Sequence, residues 1–170
     1  MGPIVQFFNH PFFIIFGGIA TLFSVIGVVI VAVLVVRGVF PVWYRLGLGL
    51  SNRKIAVFAE SEFDALKSML VDSQLFRETN IIRIGKKELK KAQPLSLLLV
   101  HWKPFENEMK EILNLKRDNA ALIIYAPQSE GFIDKEMVEK INLERNAIIV
   151  NFRGRLLNDI LISMITTSYD

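Results

Sequence analysis

From Phe12 to Val36 the chain runs for 25 residues without a charge, and Arg37 ends the run. Lipid accepts such a stretch only as a helix, because the bilayer core offers no hydrogen-bond partners to open backbone. At 1.5 Å per residue it extends about 37 Å, enough to cross roughly 30 Å of hydrocarbon with some tilt. All 20 basic and all 17 acidic residues lie beyond it. The pattern predicts one membrane helix followed by a water-facing domain.

A cleaved secretory signal would need a basic start and a shorter apolar stretch, and Met1 to Val36 contains no Lys or Arg. An uncleaved anchor fits better. Arg37, Arg45, Arg53 and Lys54 follow the run, so the positive-inside bias places the C-terminal part in the cytoplasm and residues 1–11 outside. The expected location is the inner (cytoplasmic) membrane, crossed once by residues 12–36. The absence of cysteine accords with a reducing compartment. Phe40, Trp43 and Tyr44 suit an aromatic belt at the headgroups, and Pro41 predicts a helix break there. Residues 37–52 are read as an interfacial segment and bendable linker, with Gly47, Gly49 and Ser51-Asn52 at its end.

Within the span, Gly17, Ala20, Ser24 and Gly27 recur at spacings of three, four and three, which puts small residues on one stripe. Small residues let two helix backbones approach closely, so self-association into a homo-oligomer is the expected use of this face. Gly and Ser are also common in membrane helices for no such reason. Thr21 and Ser24 could line a pore among several copies or bond their own helix carbonyls.

The formal net charge is +3, with excess near the membrane and in Lys86, Lys87, Lys90 and Lys91. Attraction to anionic lipid accounts for this, and DNA or RNA polymers, which call for a denser basic face, are not expected partners.

Residues 53–170 make one domain of ordinary size. Apolar runs at Ile55 to Ala59, Asn80 to Ile84, Leu95 to Trp102, Ala121 to Ala126 and Ala147 to Phe152 read as strands buried on both faces, as a helix-covered parallel sheet requires. Helical spacing appears between them. Ser61 and Asp64 suggest a capping box before Phe63, Leu66, Met69 and Leu70. Pro104 opens a helix carrying Met109, Ile112 and Leu113. Asp134 starts one burying Met137, Val138 and Ile141, and Leu156 to Met164 form the last, with a short, weak helix at Lys86 to Lys91. The expected fold is an α/β three-layer sandwich with five mostly parallel strands, Rossmann-like or flavodoxin-like.

Open parallel sheets bind ligands at the C-terminal ends of their strands. Those ends supply Glu60, Ser61 and Glu62; His101, Trp102 and Lys103; Tyr125, Gln128 and Ser129; and Asn151, Arg153 and Arg155. In Arg153-Gly154-Arg155 a glycine permits close approach and two guanidiniums offer forked donors, which points to an anion such as phosphate. The same arginines could instead pair with Asp159, Glu60 or Glu62. His101 could act as a general base beside Glu60 or Glu62, or serve as a hydrogen-bonded structural residue. Trp102 and Tyr125 could stack on a ring or pack the rim of the core.

What is missing narrows the chemistry. Phe58-Ala59-Glu60-Ser61-Glu62 stands where a Gly-rich phosphate loop would be, so neither dinucleotide nor P-loop binding is expected. The flavin-phosphate loop of flavodoxins is lacking too, His101 occupies the phosphoacceptor region of a receiver, and there is no G-x-S-x-G elbow. With no Cys and two His, no zinc site is expected, nor any other cofactor or metal.

One membrane helix followed by a Rossmann-like sensor resembles, in layout, the membrane effectors of prokaryotic antiviral signalling whose CARF domains bind cyclic oligoadenylates. The resemblance implies a nucleotide-type ligand and carries over no site residue. The leading expectation is a membrane-anchored signalling or effector protein that senses a small anionic ligand or partner and acts by oligomerising. The alternatives are a non-catalytic accessory subunit that recruits another protein, and a membrane-attached enzyme using His101 with Glu60 or Glu62.

Overall fold

The computed structural model describes Gly2 and residues 10–167, apart from the side chains at 42–46 and 48–52. Of the expected belt, Phe40 is described and exposed, while the side chains of Trp43 and Tyr44, those of the linker other than Gly47, and residues 3–9 lie outside the described residues. The chain divides into two compact units, Met1–Arg45 and Leu46–Asp170.

The first element, α1 (Pro11–Asn52), is a single helix of 42 residues. Proline is at home in its first turn, where no intrahelical partner exists for an N–H, and His10 Nδ1 accepts from the Phe12 amide at 3.3 Å. Pro11–Pro41 is long and apolar enough to cross a membrane, and none of it is buried within the chain. The helix does not break at Pro41 as the sequence suggests. Proline withholds one N–H from the Arg37 carbonyl, but apolar residues continue on both sides and the helix runs on to Asn52. Thr21 Oγ1 donates to the Gly17 carbonyl at 2.8 Å and Ser24 Oγ to that of Ala20 at 2.9 Å, so both hydroxyls bond their own helix.

The second unit is a doubly wound sandwich. Its strands β1 (Ile55–Phe58), β2 (Ile81–Arg83), β3 (Leu97–His101), β4 (Ala121–Tyr125) and β5 (Ala147–Val150) form one sheet in the order β2-β1-β3-β4-β5. Every pairing is parallel. This is the flavodoxin-like order. β1, β3 and β4 are buried along their whole length, which is why their sequences are unbroken apolar runs.

One sheet face packs under α2 (Phe63–Asp72) and α5 (Arg153–Thr166), burying Leu66, Leu70, Leu156 and Ile160 against Val57, Leu99 and Ile123. The other packs under α3 (Met109–Leu115), α4 (Lys135–Leu143) and 3-10 turns at Lys86–Ala92, burying Met109, Ile112, Met137 and Leu89 against Phe58, Val100 and Ile124. The Lys86 to Lys91 segment offers only Leu89 and Ala92 to the core, too little apolar face for a longer helix.

Two helix starts differ from expectation. Glu62, not Ser61, occupies the N-cap of α2, and no side chain caps it, so no capping box forms. Pro104 sits in a separate 3-10 turn, Lys103–Phe105, ahead of α3. Asp134 does cap α4, its carboxylate accepting from the Met137 amide at 2.9 Å. Asn146 takes a left-handed φ of 56° in the tight turn into β5, and its amide donates to the Asp118 carbonyl at 3.1 Å.

Candidate functional site

All five strands point the same way, so their C-terminal ends and following loops gather along one rim. The strand order reverses between β1 and β3, and doubly wound sheets open their crevice at such a reversal.

At the β1 end the charges answer one another. Glu60 pairs with Lys86 at 3.0 Å, and its carbonyl accepts from Arg83 at 3.1 Å. Arg83 in turn lies 5.0 Å over the Phe63 ring. Glu62 pairs with Arg153 at 3.1 Å, joining the loop after β1 to the first turn of α5. Ser61 is exposed in the turn between the two glutamates.

At the β3 end, His101 is only 2% exposed, and its Nε2 lies 2.8 Å from the Glu130 carboxylate. Its Nδ1 is buried without a hydrogen-bond partner. The carboxylate on this imidazole is neither Glu60 nor Glu62, whose partners are Lys86 and Arg153. Trp102 is buried in the core, with its amide donating to the Tyr125 carbonyl at 2.8 Å, so it packs and leaves no face for a ligand ring. Burial pushes the Tyr125 phenol above its ordinary pKa of 10.0, with Glu62 and Glu130 adding to the rise and Arg153 opposing it. Lys103 is exposed and pairs with Glu106 at 3.0 Å.

The loop after β4 holds exposed Gln128 and Ser129 in a 3-10 turn, then Glu130, then Gly131 at a φ of 100° that favours glycine. Phe132 follows and is 86% exposed. Beneath this loop lies an open cleft of about 240 Å³, with Ala126, Ile133, Val138 and Ile149 as apolar walls and Gln128 and Asn151 as polar ones. A second cleft of about 180 Å³ flanks the other side of β5 and includes Asn151, Phe152, Arg155 and Asp159. Arg155 lies 3.9 Å from Asp159 and its side chain is 71% exposed, a looser pair than Arg153 with Glu62.

The structure thus brings Glu60, Arg153 and their partners to one side of the rim, and Gln128, Asn151 and Arg155 to the other. Sequence reasoning missed Glu130, Phe132, Arg83 and Lys86 as contributors. Glu130 was within reach of the strand-end rule, since it follows β4 by a few residues. Among the described residues no three His, Cys, Asp or Glu side chains converge as metal ligands would.

These features define a doubly wound α/β domain behind a helix long and apolar enough to span a membrane. No protein-family model, curated protein or solved structure matches the chain.

Proposed function

We propose that the chain is a membrane-anchored signalling or effector protein. Its α/β domain takes a small anionic, nucleotide-like ligand at the C-terminal rim of the sheet, and it acts by associating with further copies in the membrane. The observation that supports this reading is the pair of clefts sharing Ile149 and Asn151: one offers apolar walls and carboxamides, the other the loosely paired Arg155. Apolar walls with a few convergent polar groups are what small-molecule sites present. A ring can sit against the first cleft while an anionic group displaces Asp159 from Arg155, a weaker competitor than Glu62 is for Arg153.

The test is the unfolding midpoint of the full-length chain in lipid nanodiscs, titrated with mononucleotides, cyclic oligonucleotides and inorganic phosphate. A nucleotide should raise the midpoint by several degrees, Arg155→Ala should abolish the rise, and Arg153→Ala should weaken it. No response to any of these anions, with both variants behaving as wild type, rejects the reading. Exposed Phe132 and Phe152 favour a second reading, an accessory subunit that docks another protein at this rim. That reading predicts a stable complex only when other cellular components are supplied, with no nucleotide effect.

A further inference from the structure

The two edges of the sheet are built differently. β2, one edge, is three residues long, ends in Arg83, and leads into Lys86 and Lys87, a cationic border of the kind that blocks edge-to-edge pairing. β5, the other edge, reads Ala-Ile-Ile-Val, with neither charge nor proline, and clefts lie on both of its flanks. Its pairing with β4 uses the carbonyls of Asn146 and Val150, which accept from the Leu122 and Ala126 amides at 2.9 Å each. Since alternate residues of a strand bond to opposite sides, Ala147, Ile149 and Asn151 direct their amides and carbonyls away from the sheet. The backbone stays extended through Phe152, so all three lie on one open edge centred on Ile149.

Three of the domain's exposed apolar residues, the three most exposed, lie about the same centre. Leu143, at the end of α4 before β5, is 85% exposed, and Phe132 and Phe152, at the far end of β5, are 86% and 57% exposed. A partner strand running antiparallel brings the Leu143 end of one copy to the Phe152 end of the other, twice. That self-complementarity is what a two-fold interface requires, and a foreign strand would have to reproduce it.

We propose that β5 is the contact between two copies of this chain, paired antiparallel about Ile149 into one continuous sheet. Ile149 then faces its own counterpart and Ala147 faces Asn151, each pair exchanging both N–H···O bonds. An anchor that holds the copies in one bilayer raises their effective concentration for this contact. The contact adds to the proposed function without depending on ligand binding.

The chain has no cysteine, so single cysteines report the geometry directly. Opposed residues of a bonded antiparallel pair sit about 5.5 Å apart at Cα, within the ~4.4–6.8 Å that a disulfide spans. Full-length Ile149→Cys in lipid vesicles, oxidised mildly, should give mostly disulfide-linked dimer, while Leu75→Cys, in the connection leading to β2, stays monomeric. The double variant Ala147→Cys/Asn151→Cys should cross-link as well, which covers the case of an Ile149 variant that does not fold. Ile149→Lys should lower the particle mass of the nanodisc-reconstituted protein towards that of a monomer. A Gly27→Cys cross-link with none at Ile149 or at 147/151 would assign association to the membrane helix alone and overturn the β5 contact. Monomer throughout would overturn it too, while a nucleotide-dependent midpoint could still stand.

Discussion

His101 shows how one buried side chain can hold a rim together. Its Nε2 meets Glu130 at 2.8 Å while Nδ1 has no hydrogen-bond partner, so Nε2 is the nitrogen that donates to the carboxylate. Glu130 closes the turn that carries Gln128 and precedes Gly131 and Phe132, so this single bond ties the loop over the 240 Å³ cleft to the end of β3. Glu130→Ala leaves both ring nitrogens buried and unpaired, and urea unfolding should register a loss of about 1–3 kcal/mol. Glu130→Gln keeps an acceptor for Nε2–H and should lose less, while amide exchange over residues 127–133 rises mainly in the alanine variant. Equal losses in the two variants would mean that a retained acceptor does not suffice and that the carboxylate itself is needed at this position.

Lys116 is a second residue-scale test. Its side chain is fully buried, 3.9 Å from Glu144, and burial lowers its pKa from the ordinary 10.5, with Glu144 and Asp118 opposing the shift and Arg145 adding to it. The folded chain gives up this proton before the unfolded chain does. Between the depressed value and 10.5 the unfolded state binds more protons, so stability rises with pH across that window. Below that window both states hold the proton and the burial penalty is present in full. Lys116→Met should therefore raise the urea midpoint below that window and remove the rise with pH across it. A lower midpoint would mean that the attraction to Glu144 outweighs desolvation.

At the scale of elements, the sequence is legible where burial writes a continuous signal. β1, β3 and β4 stand out because both faces are covered, so no polar residue interrupts them. Asp134 was readable as a cap because its carboxylate, the apolar spacing after it and the loop before it agree. Asp134→Ala should lower stability by about 1 kcal/mol in denaturant unfolding, with Asp134→Asn close to wild type. Elements set by relations between distant residues were not legible. The flavodoxin-like order cannot be told from a Rossmann order in runs that do not name their neighbours. The carboxylate on His101 depends on that order: β1 and β4 both flank β3, and the sequence reading offers only Glu60 and Glu62 from the β1 side, whereas Glu130 in the loop after β4 meets the imidazole. Pro41 misled because a local rule met a long, mostly apolar helix that continues past it to Asn52.

For the whole molecule, the question is which way the anchor lies. Arg53 adds a charge after the span in sequence, yet its guanidinium is buried in the domain, donating to the Thr167 hydroxyl at 2.5 Å and the Thr167 carbonyl at 2.6 Å. Besides Arg53, the sequence puts Arg37, Arg45 and Lys54 after the apolar run, against no Lys or Arg among residues 1–36. If the helix spans a bilayer, a Lys/Arg bias of this kind predicts that the domain lies inside. Orientation can be read on the same cysteine-free background: Gly2→Cys should react with a membrane-impermeant maleimide on intact cells, and exposed Ser61→Cys only after permeabilisation. If the bias is the cause, replacing Arg37, Arg45 and Lys54 with Gln should turn part of the population over, so that Ser61→Cys becomes reactive from outside. Labelling of Ser61→Cys on intact cells carrying the native cations would place the rim, its clefts and the β5 edge outside the cytoplasm, out of reach of a cytoplasmic nucleotide.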